Sequence, residues 1–302
     1  MLEDVSTLFR DTGIDRRVQV TTNDHSYEVQ RTSADNWLYA AFIAYQRLQR
    51  CLNGKVERFA TIGTGPGLDA IGAWHVFHPR FTVMTDVHPE VLPLAARNFT
   101  ENTDGEFCVL HGSLLEPLRR EGLSMDLIYA NLPNLPSLEP VGAGQASASF
   151  YPAGTLHAAG ETEAYCLAMQ VAAIQEAGEV LNDGGSLLLN FGARVPLHLL
   201  RQEVERCGLA YEELFSGVKR QTQASEVLPG YAAAERKYGV QFDFYSFENR
   251  DAPNDVGDFA GGTEALKKRL AAFRISATEA LTLHQEGQEV HHAVQVIRAM
   301  KI

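Results

Sequence analysis

ATIGTGPGLDAIGAW, residues 60–74, decides the fold. A β-prone run, RFATIG (58–63), ends in Gly63-Thr64-Gly65-Pro66-Gly67, and a helical pattern begins at once. Glycines let a backbone turn tightly and come close to a ligand, and the free amides at a helix start favour electronegative atoms. Such a loop alone is often only a turn. The strands downstream of it give it meaning.

The next strand, FTVMTD (81–86), ends on Asp86, about 20 residues past the loop, where a carboxylate can accept two hydrogen bonds from a ribose diol. Capping the next helix ahead of Pro89 is its alternative role. A third strand, EFCVL (106–110), leads into His111-Gly112-Ser113, and a fourth, DLIYAN (126–131), stops at Asn131 and turns through Pro133 to Asn134. Further strands are expected at SLLLNF (186–191), LAYEELF (209–215) and VQFDFYSF (240–247), with helices between; the clearest helix is TEAYCLAMQVAAIQEAGEVL (162–181). This alternation predicts an α/β fold, a mostly parallel sheet covered on both faces. SADNWLYAAFIAYQRLQRCL (33–52) carries apolar residues at helical spacing with Ser33 or Asp35 as a cap. Residues 1–54 therefore form an N-terminal helical appendage, acting as a lid or as the surface of a homodimer.

Composition narrows the function. Of 302 residues, 26 are Lys or Arg and 38 Asp or Glu, a net charge of -12, which argues against a protein that tracks nucleic-acid phosphates. The four cysteines are scattered without a C-x-x-C pair, so free thiols are expected rather than a zinc site or disulfides. MLEDVSTLFRDTG lacks a basic-then-apolar leader, and no apolar run approaches membrane-spanning length. A cytoplasmic protein that acts on a small molecule, without membrane or metal, is the expectation. His75 and His78 read as surface or half-buried, and the His291-His292 pair as solvated. The loop-like stretches are 132–161 and ENRDAPNDVGDFAGG (248–262). A 30-residue connection suits a lid or binding loop. Tyr151 in the first, and Tyr165 at the start of the next helix, either pack locally or face a cationic ligand.

Together the glycine loop, the acidic end of the second strand, the residue after the third and Asn-x-Pro-x after the fourth resemble the class I S-adenosylmethionine (SAM) dependent methyltransferases over residues 58–250. The resemblance implies a Rossmann-like, seven-stranded, mostly parallel sheet, with VQFDFYSF as the reversed edge strand. It implies a SAM-binding domain over 55–250, a C-terminal extension (251–302) packed on it, and SAM as co-substrate. Gly63, Gly65 and Gly67 would lie under the aminobutyrate arm, Asp86 on the ribose and Ser113 near the adenine, with Asn131 to Asn134 lining the reaction site.

Three positions depart from that pattern. Thr61 stands where the family carries an acid near the SAM amine. At about 4 Å and a dielectric near 20 such an acid is worth roughly 4 kcal/mol to the ammonium form, so its absence eases deprotonation. Ser113 replaces an aspartate. Asn-Leu-Pro-Asn lacks the aromatic of Asn-Pro-Pro-Tyr, which argues against adenine or protein-glutamine acceptors. The stretch from Asn190 to Leu228 also resembles the methyltransferase domain of plant methionine S-methyltransferase and bacterial azetidine-2-carboxylate synthases of secondary metabolism. Three activities are consistent with these features: methyl transfer to a small amine or thioether, cyclisation of SAM to azetidine-2-carboxylate with release of methylthioadenosine, or SAM binding without catalysis. Asn131, Asn134, Tyr151 and Tyr165 are the candidate catalytic residues; Thr61 joins the glycines, Asp86, Ser113 and Asn131 as candidate cofactor contacts.

Overall fold

The computed structural model describes residues 1–24, 35–52, 54–134, 160–247 and 257–302. In chain order its elements are β1 (Leu2–Asp4), α1 (Ser6–Asp11), β2 (Gln19–Thr21), α2 (Trp37–Cys51), β3 (Arg58–Ile62), α3 (Leu68–Phe77), β4 (Phe81–Asp86) and α4 (Leu92–Asn102). They continue with β5 (Glu106–His111), α5 (Glu116–Arg120), β6 (Met125–Ala130), α6 (Glu161–Ala164), α7 (Ala168–Val180) and β7 (Leu181–Gly192). The chain closes with α8 (His198–Arg206), β8 (Leu209–Arg220), α9 (Ala224–Tyr238), β9 (Phe244–Tyr245), α10 (Gly262–Arg269), β10 (Arg274–Ile275), α11 (Ala277–Gln285) and β11 (His291–Lys301).

The sheet runs β8-β11-β7-β6-β3-β4-β5, with β9 and β10 continuing from the start of β11. Pairs β3–β4, β4–β5, β3–β6 and β6–β7 are parallel, while β11 is antiparallel to both β7 and β8. This is the expected Rossmann-like α/β architecture. Strand residues alternate between two apolar cores, as side chains of period two must. Phe59, Leu127, Tyr129 and Leu188 face the layer of α1, α2 and α3, and Ala60, Ile62, Ile128 and Leu189 face that of α7, α8 and α9. Burial on both faces explains why the parallel strands read as nearly continuous apolar runs.

Several expectations need correction. The reversed strand is β11, not VQFDFYSF, of which only Phe244 and Tyr245 form a strand. β11 is not at an edge but between β7 and β8, so residues 251–302 are no extension packed on a finished domain. They complete its sheet. The pattern misled because 240–247 packs Phe242, Phe244 and Tyr245 into the core without a full strand partner, an alternation that mimics a strand. The helix expected over 162–181 is broken at Cys166 (φ 60°) into α6 and α7. The N-terminal appendage is not wholly helical: β1 and β2 pair as a ribbon, and α2 covers the sheet against α3 and β8. No helix among the described residues is long and apolar enough to cross a membrane.

Candidate functional site

In this strand order the chain leaves β3 toward β4 and leaves β6 toward β7, so a crevice opens between the carboxyl ends of β3 and β6. That is where open α/β sheets take ligands. Gly63–Gly67 follows β3, and Asn131–Asn134 follows β6. The two stretches singled out in the sequence meet here because their strands are neighbours.

The glycine loop needs its glycines for two different reasons. Gly63, Gly65 and Gly67 all have positive φ (68°, 51° and 84°). A Cβ on Gly67 would come 3.2 Å from the Ala95 backbone of α4, whereas at Gly63 and Gly65 it would meet no described residue within 4 Å. One glycine seats the loop on its neighbour; the other two leave space above it. Asn98, fully buried on α4, donates to the Pro66 carbonyl (2.8 Å) and to the Thr21 carbonyl (2.9 Å), tying the loop to the N-terminal ribbon.

Asp86 ends β4 beside this loop. Its Oδ2 accepts the Gly65 backbone N–H at 2.9 Å and its Oδ1 the His88 N–H at 2.9 Å. The carboxylate thus orients the loop, and it also makes the local turn anticipated as its alternative role. Ser113 is half-buried just past β5, whose end is joined to β4 by the Gly112 N–H bonded to the Asp86 carbonyl (3.1 Å).

Thr61 is fully buried. Its hydroxyl donates to Asp69 Oδ2, the Thr64 hydroxyl donates to Oδ1 at 2.9 Å, and the Ala70 N–H adds a third bond at 2.8 Å. An acid thus stands against position 61 after all, eight residues later in the first turn of α3, but with its oxygens engaged below the loop. Burial pushes the Asp69 carboxyl up to about 6 against those three bonds, with the Asp86 charge contributing. Sequence reading missed Asp69, although Leu68-Asp69 directly after the last glycine was the available signal.

The two amides of the β6 turn separate. Asn134 is buried; its Nδ2 donates to the Gly192 carbonyl (2.9 Å), and its own carbonyl accepts the Tyr231 hydroxyl (2.6 Å). Gln170 on α7 donates to the carbonyls of Leu132 (3.0 Å) and Pro133 (3.3 Å). Asn131 is half-buried and its side chain makes no hydrogen bond to a described residue. The turn is clamped at Leu132, Pro133 and Asn134 and, among the described residues, leaves one amide open. Tyr165 packs its ring edge-on against Phe242 (5.5 Å), which meets Tyr231 at 4.8 Å, and burial raises its phenol. Tyr151 lies outside the described residues.

Farther along the same edge is a group the sequence did not suggest. Arg194, just past β7, is buried among Tyr231, Phe244 and Gln221; Lys219, near the end of β8, pairs in register with His292 of β11. His292 is fully buried, which corrects the expectation that the His291-His292 pair is solvated. Alternation along a strand between two helical layers put it inside. Among the described residues, no group of three or more His, Cys, Asp or Glu is placed to hold a metal ion.

No family model matches this chain, and neither does any curated protein. Similar solved structures include precorrin-6y C5,15-methyltransferase from Geobacter metallireducens, at 12% identity and TM-score 0.44 over 94% of each chain. A methyltransferase from Pyrococcus furiosus is 16% identical (TM-score 0.45, covering 70% of this chain and 87% of that one). A ribosomal protein L11 methylase from Lactobacillus delbrueckii subsp. bulgaricus is 16% identical (TM-score 0.42, 66% and 89%). Likeness at this level assigns no activity to the chain.

Proposed function

We propose that this protein is an enzyme that uses SAM to methylate a small, amino-acid-like amine or thioether. The observation that carries the reading is the crevice itself. A glycine loop with no described residue over Gly63 and Gly65, a strand-end carboxylate at Asp86 and an Asn131 amide that bonds no described residue lie on neighbouring strand ends. That arrangement fits a nucleoside with a short amino-acid arm. Asp86 would take the ribose hydroxyls, and Ser113 would lie beyond it on the base side. SAM supplies an already activated methyl group, so the protein's task is alignment and exclusion of water. The Asn131 side-chain carbonyl would accept from an amine N–H and aim its lone pair, a role the clamped backbone around it supports.

A second reading is favoured by the placement of Asp69. Its oxygens are held beneath the loop by Thr61 and Thr64, so an amine above the loop meets no open carboxylate there. Such an amine is easier to hold neutral. If it belongs to SAM, its nitrogen can attack the γ-carbon; the C–S bond breaks toward sulfur, methylthioadenosine leaves, and the nitrogen loses a proton to give azetidine-2-carboxylate.

Incubating the pure protein with SAM alone and identifying products by mass spectrometry separates the two. S-adenosylhomocysteine formed only with an added acceptor supports methyl transfer. Methylthioadenosine formed without acceptor overturns it in favour of cyclisation. SAM bound but unchanged with every amine and thioether offered would leave a binding module.

A further inference from the structure

Two buried polar side chains on the carboxyl edge of the sheet have no hydrogen-bond partner among the described residues. Lys219 is 5% exposed, and its Nζ is unpartnered; His292 is fully buried, and so are both of its unpartnered ring nitrogens. Leaving such groups unsatisfied in a core is costly, and an ammonium is the costliest of them. The cost is only partly met by the Trp37 ring, which lies 4.3 Å from Nζ and 5.5 Å from the imidazole. The Arg194 guanidinium adds positive charge that acts on both groups.

The neighbouring charges do not explain the arrangement away. On β8, Arg220 donates to Asp35 (2.8 Å) and to Glu289 (2.9 Å), so Asp35, the carboxylate whose charge acts on Lys219, is already engaged. His291 on β11 is a further imidazole, its pKa lowered by burial, with its ring against Phe247. Burial lowers the pKa of the Lys219 ammonium to about 7 although Asp35 acts on it, so an anion seated there would hold it charged, and a singly charged carboxylate suffices.

The position supplies the rest. Across the edge the order is Asn131 after β6, Arg194 after β7, His292 at the start of β11 and Lys219 near the end of β8. Asn131 is level with Asn190 of β7 and so with Val296 of β11, four residues past His292, which places His292 two strands across and about 13 Å along the sheet, roughly 16 Å from Asn131. The cations are also wired to the turn: Arg194 Nη1 donates to the Tyr231 hydroxyl (3.3 Å), which donates to the Asn134 carbonyl (2.6 Å).

We infer that Lys219 and His292, with Arg194 beside them, form a subsite on the carboxyl edge of the sheet for a substrate carboxylate. The identity of that ligand rests on the function proposed above; the subsite itself rests on the unpartnered side chains. The carboxylate could belong to a separate acceptor or to the methionine end of SAM.

Isothermal titration of the full chain tests this with three probes: SAM, L-methionine in the presence of S-adenosylhomocysteine, and L-methioninamide, which lacks the carboxylate. Wild type should bind L-methionine or SAM saturably and L-methioninamide at least tenfold more weakly than L-methionine. Lys219→Met should weaken carboxylate binding tenfold or more, Lys219→Arg should largely restore it, and Lys219→Met should melt no lower than wild type. Loss confined to L-methionine assigns the subsite to an acceptor; loss of SAM affinity assigns it to the methionine end of SAM. L-methionine binding that persists while SAM and S-adenosylhomocysteine fail to bind would overturn the proposed function and leave the subsite standing. Unchanged affinity of Lys219→Met for both, or no carboxylate binding by wild type, overturns the inference.

Discussion

The Thr64 hydroxyl donates to the Asp69 carboxylate at 2.9 Å, directly under the loop that Thr64 belongs to. With Thr61 on its other oxygen, Asp69 is a buried acid whose pKa rises to about 6 because desolvation outweighs its hydrogen bonds. A raised folded-state pKa favours folding while the acid is protonated, and that contribution is lost as pH climbs through about 6. The displacement corresponds to about 3 kcal/mol at most. Asp69→Asn should therefore gain stability relative to wild type as pH rises from 4 to 7, measured by urea unfolding at each pH. A difference independent of pH would mean that Asp69 is ionised throughout.

Asn131 and Asn134 are three residues apart and should respond oppositely. Asn134→Ala strands the buried Gly192 carbonyl and should cost about 1–3 kcal/mol of stability. Asn131→Ala should change stability by less than about 0.5 kcal/mol while lowering turnover on the order of 100-fold through a misaligned nucleophile. Unfolding curves and kcat on the same preparations decide it.

The three loop glycines divide in the same way. Gly67→Ala combines a left-handed conformation with crowding against Ala95, so a loss of about 2 kcal/mol or more in stability is expected. Gly63→Ala and Gly65→Ala carry the strain without the crowding and place a methyl in the space over the loop. Their larger effect should be on SAM affinity. Thermal melts with and without ligand would show whether the effects separate.

Asp86→Ala should weaken SAM binding by about 1 kcal/mol or more through lost charge-assisted hydrogen bonds. Because the carboxylate also holds the Gly65 N–H, Asp86→Asn, which keeps one acceptor, should lose less. Equal affinity in wild type and both variants would remove Asp86 from the site.

Much was legible because it is local. Strands β3 to β6 begin and end within a residue of the runs marked in the sequence, and the loop and turn motifs at their ends are set by glycine and proline chemistry within a few residues. Bringing the Gly63–Gly67 loop to the Asn131 turn required in addition that β6 pair with β3 and not with β5, which precedes it in the chain.

The sequence by itself determined that glycines at 63, 65 and 67 turn the chain tightly after a buried strand, that Asp86 ends the next strand, and that Asn131 ends the fourth. Tertiary structure alone decided where the last strand goes. β11 enters between β7 and β8, about 100 residues after β7, because strand pairing is a long-range match of two surfaces that no local pattern encodes. The same insertion carries His292 inward against Lys219, and the fold of α3 under its loop carries Asp69 to Thr61. In both cases burial, which depends on what arrives from elsewhere in the chain, turned an ordinary charged residue into a group whose protonation and partners now matter.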